Sequence, residues 1–267
     1  MTARPTAVDV MEVLLRRFAF VDALADSRRE KRALVEELAC SRSTVDRGLR
    51  ELESLGVAEY ADGGYRLTAF GEMVRSRFAA LDERIALWFE FAPFLQWLPR
   101  DEVDVDIDIE LLSGADLYCA EPGDPLAMVN RHVRVVAQAT EMRLVLPLAG
   151  LHTYQTIRDR VVDAGARSTV VTTPDVVHTY QSDPAYAPLT EEMAETGRFS
   201  LYQYNDSIPY LVGLVDGTVQ IGVDDDGDPQ ALVEGSDADL REWAADVFAG
   251  FERTATPVIP PTQSVEL

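Results

Sequence analysis

Between Ser41 and Leu55 the chain sets Arg42, Ser43, Thr44, Arg47 and Arg50 among apolar residues at Val45, Leu49, Leu52 and Leu55. Apolar spacings of four, three and three mark one face of a helix. The arginines and hydroxyls must then share the outward side, together with Asp46. An arginine fork fits a guanine edge in bidentate fashion, and serine, threonine and the bared N–H groups of a helix N-terminus hold phosphate oxygens. The chemistry that these types and spacings allow is contact with duplex DNA. Tyr65 and Arg66, beside an Asp62-Gly63-Gly64 turn, are further candidates for touching the sugar-phosphate backbone or the minor groove.

The neighbouring segments are of the kind needed to hold such a helix. Val10, Leu14, Leu15, Phe18, Val21 and Leu24 predict a packing helix over Val8 to Ala25. A second helix starts at Ser27 or in the charged run RREKR and turns Leu34, Val35 and Leu38 inward. Cys40-Ser41 forms the turn, and Ser41 or Ser43 caps the third helix by accepting an orphan backbone N–H. Gly56 stops it. VAEY, ADGG and YRLT then predict a hairpin. Helix, turn, helix and hairpin is the order of a winged helix-turn-helix, here residues 1–68. The stretch STVDRGLRELESLGVAEY resembles the recognition helix and first wing strand of archaeal and bacterial winged-helix transcription regulators. The resemblance covers residues 8–70 and implies double-stranded DNA as the partner.

Charge divides the chain in the same place. The net charge is −22, and Lys31 is the one lysine among 24 basic residues. That composition is usual for proteins that work in molar salt, where screening relieves self-repulsion. Residues 1–80 hold 13 basic and 13 acidic side chains, so the remainder carries the whole excess. A neutral segment beside a strongly acidic one is itself a hint of nucleic-acid contact.

Thr68 can cap a further helix. Val74, Phe78, Leu81, Ile85, Trp88, Ala92 and Leu95 recur at alternating steps of four and three, a heptad seam. Pro93 should break it near its end. Residues 69–98 are read as a linking helix whose seam, chiefly Val74, Phe78, Leu81, Ile85 and Trp88, pairs with a second copy. The alternative is packing of the seam on its own second domain.

Beyond it, Val103 to Leu111 alternates apolar and acidic residues, as a half-buried strand does. Helices are predicted at Leu126–Ala139, Tyr154–Ala164, Leu189–Glu195 and Ala238–Arg253. Strands are predicted at Met142–Pro147, Ser168–Thr172, Ser200–Tyr204, Tyr210–Val215, Thr218–Val223 and Gln230–Glu234, with Asp216-Gly217 as a tight turn. This is an α/β layer domain over residues 99–253, and the Pro-rich residues 254–267 are expected to be disordered. Its markers are an Ile-Pro-Tyr strand, a Val-Asp-Gly turn, an Ile-Gly-Val strand and a Glu-Trp-Ala closing helix. By these the run from Leu201 to Glu252 is similar to the C-terminal part of the sensor domain of archaeal methanogenesis-type (FilR-like) regulators, a resemblance that covers residues 112–253. The resemblance implies a fold distantly related to the phospholipase-D half-domain, as in TrmB-type regulators. The fold class expected is therefore an α+β winged helix-turn-helix domain, a linking helix and an α/β sensor domain.

Catalysis is not expected. The phospholipase-D signature is His-x-Lys-x4-Asp, and HTYQTIRD supplies His152 and Asp159 but puts Tyr154 where the cation should stand. GVDDDGDP has the wrong first and twelfth residues for a calcium loop and reads as a hairpin turn. No metal and no cofactor are expected. A pocket for a small effector is expected near strand ends, with His152, Tyr154, His178, Tyr180, Tyr202, Tyr204, Asn205 and Asp206 as candidate lining. Cys40 and Cys119 are too far apart in sequence to form a CxxC pair and read as small buried hydrophobes, a redox pair being the alternative. With no apolar run long enough to span a bilayer and no signal-like N-terminus, no membrane is expected and the cytoplasm is. The leading expectation is a dimeric transcription regulator that senses a metabolite. The others are a protein-binding winged helix and a vestigial phosphodiesterase.

Overall fold

The computed structural model describes residues 6–25, 27–98 and 109–261. It divides into two compact units, the first reaching Ala86 and the second beginning at Leu87.

The first unit contains α1 (Ala7–Ala23), α2 (Lys31–Glu37), α3 (Arg42–Ser54), β1 (Ala58–Ala61), β2 (Gly64–Leu67) and most of α4 (Ala69–Glu90). Thr6 and Asp9 form a reciprocal capping box at the start of α1. Ser41 Oγ accepts the Thr44 N–H at 3.2 Å and caps α3. Leu14, Val21, Leu34, Val45, Leu49 and Leu52 close a common core. The hairpin turns on two residues, Asp62 and Gly63, both with positive φ. Such turns match the twist of the strands they join. Gly64 is thus the first residue of β2 rather than part of the tip. A Cβ on it would lie 2.9 Å from the Arg29 carbonyl oxygen.

The expected seam on the linking helix is divided. Val74 and Phe78 pack against the core of the first unit, and the Phe78 ring stacks on Phe18 at 5.8 Å. Those two residues are therefore spent within the unit. Leu81, Trp88 and Phe89 are exposed, and Ile85 is half-buried. The helix stops at Glu90, and a one-turn helix, α5 (Ala92–Leu95), restarts with Pro93 in its first turn. The seam therefore does not run on to Ala92 and Leu95.

The second unit is built on one mixed sheet of eight strands in the order β10-β6-β5-β4-β7-β8-β9-β3. Its elements are β3 (Asp116–Cys119), α6 (Ala127–Val136), β4 (Glu141–Leu146), α7 (Leu151–Arg158), β5 (Arg167–Thr172), α8 (Pro174–Ser182), α9 (Ala187–Glu195), β6 (Phe199–Gln203), β7 (Leu211–Val215), β8 (Thr218–Asp225), β9 (Asp228–Gly235), α10 (Ala238–Thr254) and β10 (Thr256–Ile259). Strands β4, β5 and β6 are parallel and are joined through helices, while every other pairing is antiparallel. Alternate residues of a strand face opposite sides. Leu144, Leu146, Val170 and Leu201 meet α6 to α9 on one face, and Val145, Val171 and Val212 meet α5 and α10 on the other.

Several expectations change. Residues 254–267 are not all irregular: β10 pairs Thr256 with Gln203 and Pro257 with Tyr202. It is an edge strand, where the N–H that proline lacks need not face a neighbour. The acidic strand expected at Val103 to Leu111 falls largely outside the described residues, and its end, Ile109–Leu112, is a 3-10 turn with Ile109 and Leu112 buried. Helix α7 begins at Leu151 and ends in a π-helical turn, Asp159–Asp163. Strand β3 and helix α8 were not expected. No described helix is long and apolar enough to cross a membrane.

Candidate nucleic-acid interface and a cavity in the second unit

Helix α3 seals Val45, Gly48, Leu49 and Leu52 inward and leaves Arg42, Ser43, Arg47 and Arg50 exposed, with Thr44 half-buried. At its N-terminus the Ser41 hydroxyl lies 2.8 Å from that of Ser43 and 2.9 Å from that of Thr44. The partial positive charge of a helix start lies there too. Asp46, one of two acidic residues on this outward side with the exposed Glu53, is matched by Lys31, whose Nζ donates to Asp46 Oδ1 at 2.6 Å. The bond holds the Asp46 carboxyl below its usual range and raises the Lys31 ammonium above its own. Arg50 Nε donates to the Asp46 carbonyl at 3.0 Å. Arg42 and Arg47 make no hydrogen bond or ion pair among the described residues, so both forks are available.

The hairpin offers less than the sequence implied. Tyr65 is 7% exposed and belongs to the core. Its N–H and C=O pair with Arg29, each at 2.8 Å, and its ring lies beside Tyr60 and beneath Lys31 Nζ. Tyr65 is withdrawn from the DNA-contacting set because burial removes its side chain from that surface. Arg66 is exposed but bonded across the hairpin to Glu59 at 2.7 Å.

The expected effector residues do not gather. His152 lies exposed on α7, His178 exposed on α8, and Tyr202 and Tyr204 half-buried at or just past the end of β6, followed by exposed Asn205 and Asp206. Tyr154 is fully buried, its hydroxyl 2.7 Å from Thr190 Oγ1 and its ring stacked on Tyr180 at 4.0 Å. Burial pushes both phenols well above the ordinary tyrosine value. At the position where the phosphodiesterase signature needs a solvent-facing cation, the chain thus has a core aromatic.

A cavity of about 290 Å³ opens instead past the carboxyl end of β4, between that end, α6 and the strands β7 to β9. Ligand crevices of open α/β sheets lie at the carboxyl ends of parallel strands. Its walls include Met128, Leu146, Leu211, Val223 and Leu232, and Gly222 stands in register between Leu211 and Leu232 on the neighbouring strands. Of the expected residues only Tyr180 lines it.

His132 of α6, which the sequence left unremarked, also lines this cavity and is 5% exposed. Its Nδ1 lies 2.7 Å from Gln220 Oε1, and Gln220 Nε2 donates to Glu234 Oε2 at 2.8 Å. Arg131 grips the same carboxylate through Nε, at 2.9 Å, and through its terminal nitrogen. Desolvation pushes the imidazole below the ordinary histidine value. Among the described residues Nε2 of His132 has no partner. No local motif marks this set: its members stand on one helix and two strands, and the sole signal was a histidine inside an amphipathic helix pattern.

No curated protein matches the chain. Among solved structures, TrmBL2, described as an archaeal chromatin protein, shares 14% identity at a TM-score of 0.43, over 95% of this chain and all of its own. The phospholipase D family member Nuc from Salmonella typhimurium shares 14% identity at 0.42, over 55% of this chain and 99% of its own. Residues 6–87 match the HVO_A0261 N-terminal domain, and residues 125–254 match the middle domain of the methanogenesis regulatory protein FilR1. The chain is thus similar, in order, to an HVO_A0261-type N-terminal domain and to a FilR1-type middle domain.

Proposed function

We propose that this protein is a dimeric transcription regulator whose first unit is a winged helix that lays α3 in the major groove. The observation that carries the reading is Arg42 and Arg47, two exposed guanidiniums without internal partners, on a helix whose opposite face is closed into a core. Ser43 and Thr44 hold phosphate at the helix start, Arg50 adds a third cation, and Arg66 touches the backbone from the hairpin. The matching of Asp46 by Lys31 offsets a repulsive charge between Arg42 and Arg50. The test is binding of the full-length protein to duplex DNA from around its own gene, in molar KCl, against an unrelated duplex of equal length. Selective binding is expected, and Arg47→Ala should weaken it by about 1–3 kcal/mol. Equal affinity for both duplexes, unchanged in the variant, would favour a protein-binding role for the winged helix.

Dimerisation is assigned to the far half of α4. Leu81, Ile85 and Trp88 keep the heptad step, and Leu81 and Trp88 are left about half exposed, at 44% and 46%. Two copies pairing there would space two reading heads on a near-palindromic site. Leu81→Asp with Trp88→Asp should give a monomer in light scattering with the first unit intact, since neither residue belongs to its core. A persisting dimer would move the interface elsewhere. The second unit binds a small effector. Coupling to DNA then requires the effector to favour one head spacing over the other.

A further inference from the structure

The cavity and the bonding around His132 define the class of molecule the second unit takes. Resting on the reading of that unit as an effector domain, we propose that the cavity binds a small, uncharged, largely apolar molecule carrying one hydroxyl or N–H group, and that this group donates to His132 Nε2.

The direction of each hydrogen bond follows from the carboxylate. Glu234, gripped twice by Arg131, is a carboxylate that only accepts, so the Gln220 group facing it must be the NH₂. The Gln220 carbonyl oxygen is then turned to His132 Nδ1, which must be the donor. Burial disfavours the charged ring, so Nδ1 carries the only ring proton. The opposite nitrogen, Nε2, is left with a bare lone pair. A buried acceptor with no partner costs free energy that a donor brought by a ligand recovers. The sequence Arg131, Glu234, Gln220, His132 thus fixes one tautomer.

The remaining walls exclude other classes. Apart from Asp224 the lining consists of apolar side chains, one threonine, the Tyr180 ring and backbone, and none of the lining residues is cationic. An anion would meet a lone pair at one end, a carboxylate at the rim and no countercharge. A polyol would set most of its hydroxyls against apolar side chains. At about 290 Å³ the space lies at the small end of ligand pockets, which suits a single ring system or a short chain. Gly222 keeps the floor open: a Cβ there would come within 3.3 Å of Leu211 Cβ and 3.4 Å of a Leu232 methyl.

The experiment is calorimetric titration of the full-length protein, without DNA, in molar KCl. The probes are indole, p-cresol and 2-naphthol, each paired with its N-methyl or O-methyl analogue, with benzoate as the anionic control. At least one donor-bearing probe is expected to bind about tenfold more tightly than its methylated partner, and benzoate not to bind. His132→Phe keeps a flat apolar ring and should reduce that preference to about onefold. Leu148→Trp, at an exposed rim position that tolerates a larger ring, should block all probes. Binding of none of the three probes, equal binding of each methylated pair, or a preference that survives His132→Phe would overturn the proposal. Operator binding is measured separately. Probe binding without DNA binding would leave this site standing and remove the regulator reading, and DNA binding without probe binding would do the reverse.

Discussion

Two ion pairs, one in each unit, have similar chemistry and opposite consequences. Lys31 and Asp46 meet at 2.6 Å on a surface where both side chains stay partly wet, at 41% and 31%. Arg131 meets Glu234 where the carboxylate is only 8% exposed and is also tied to Gln220. In the first unit the pair trims charge from a face that does its work in solvent. In the second it anchors a buried chain of hydrogen bonds that ends in an orphan nitrogen. On the functions proposed, the first unit works at its surface and the second in its interior, although one chain builds both from the same kinds of residue.

The largest test of that contrast is removal of each cation. Arg131→Ala strands Glu234 in a nearly closed site and should cost about 2–3 kcal/mol in denaturant unfolding of the second unit, at and just below the lower end of the about 3–5 kcal/mol for breaking buried pairs because Arg131 itself is one-third exposed. Lys31→Met should leave unfolding of the first unit nearly unchanged. Equal losses would erase the distinction. A smaller effect is expected at the α3 cap, where Ser41→Ala gives up the bond to the Thr44 N–H and should cost the first unit about 1 kcal/mol. Loss below a few tenths would mean that Ser43 takes over the cap.

Smallest near neutrality is the pH dependence of His132. Its folded value is depressed, so the unfolded chain takes up the proton first on acidification. The stability it contributes is complete above the ordinary value of about 6.5 and is lost progressively as pH falls below it. Glu234 and Arg131 are the charged groups that face the same network. Wild type should therefore lose stability more steeply than His132→Phe between pH 6.5 and the onset of carboxylate titration, read as the difference of two unfolding curves. Parallel curves would mean that the ring is not held neutral by burial.

What could be read from sequence follows the same division. On α3 the apolar step of four, three and three leaves the outward residues by subtraction, so Arg42, Ser43, Arg47 and Arg50 are found without knowing any neighbour. The three Asp-Gly pairs, at Asp62, Asp216 and Asp226, each became a two-residue hairpin turn with positive φ at both positions, because local backbone preference alone decides them. The cavity is different. His132, Gln220, Glu234, Leu146 and Gly222 come together only through the order of strands in the sheet, and nothing in the spacing of residues 128 to 234 encodes that order. Polarity near strand ends pointed to His152, His178 and Tyr204, which the fold leaves scattered. Tyr65 and Tyr154 failed for one reason: a tyrosine counts as polar in a pattern, but a ring that reaches a core is buried with its hydroxyl or edge alone seeking a partner.

The scarcity of lysine gives the protein an uncommon handle. Lys31 is the one side-chain amine in the chain, and it lies against α3 through Asp46. Apart from the α-amino group of the chain, an acylating dye, an isotope-labelled methyl group or an amine-directed cross-linker would therefore mark one side chain, beside α3. No other side chain would carry the label, so a signal from Lys31 could be followed without mutating any residue.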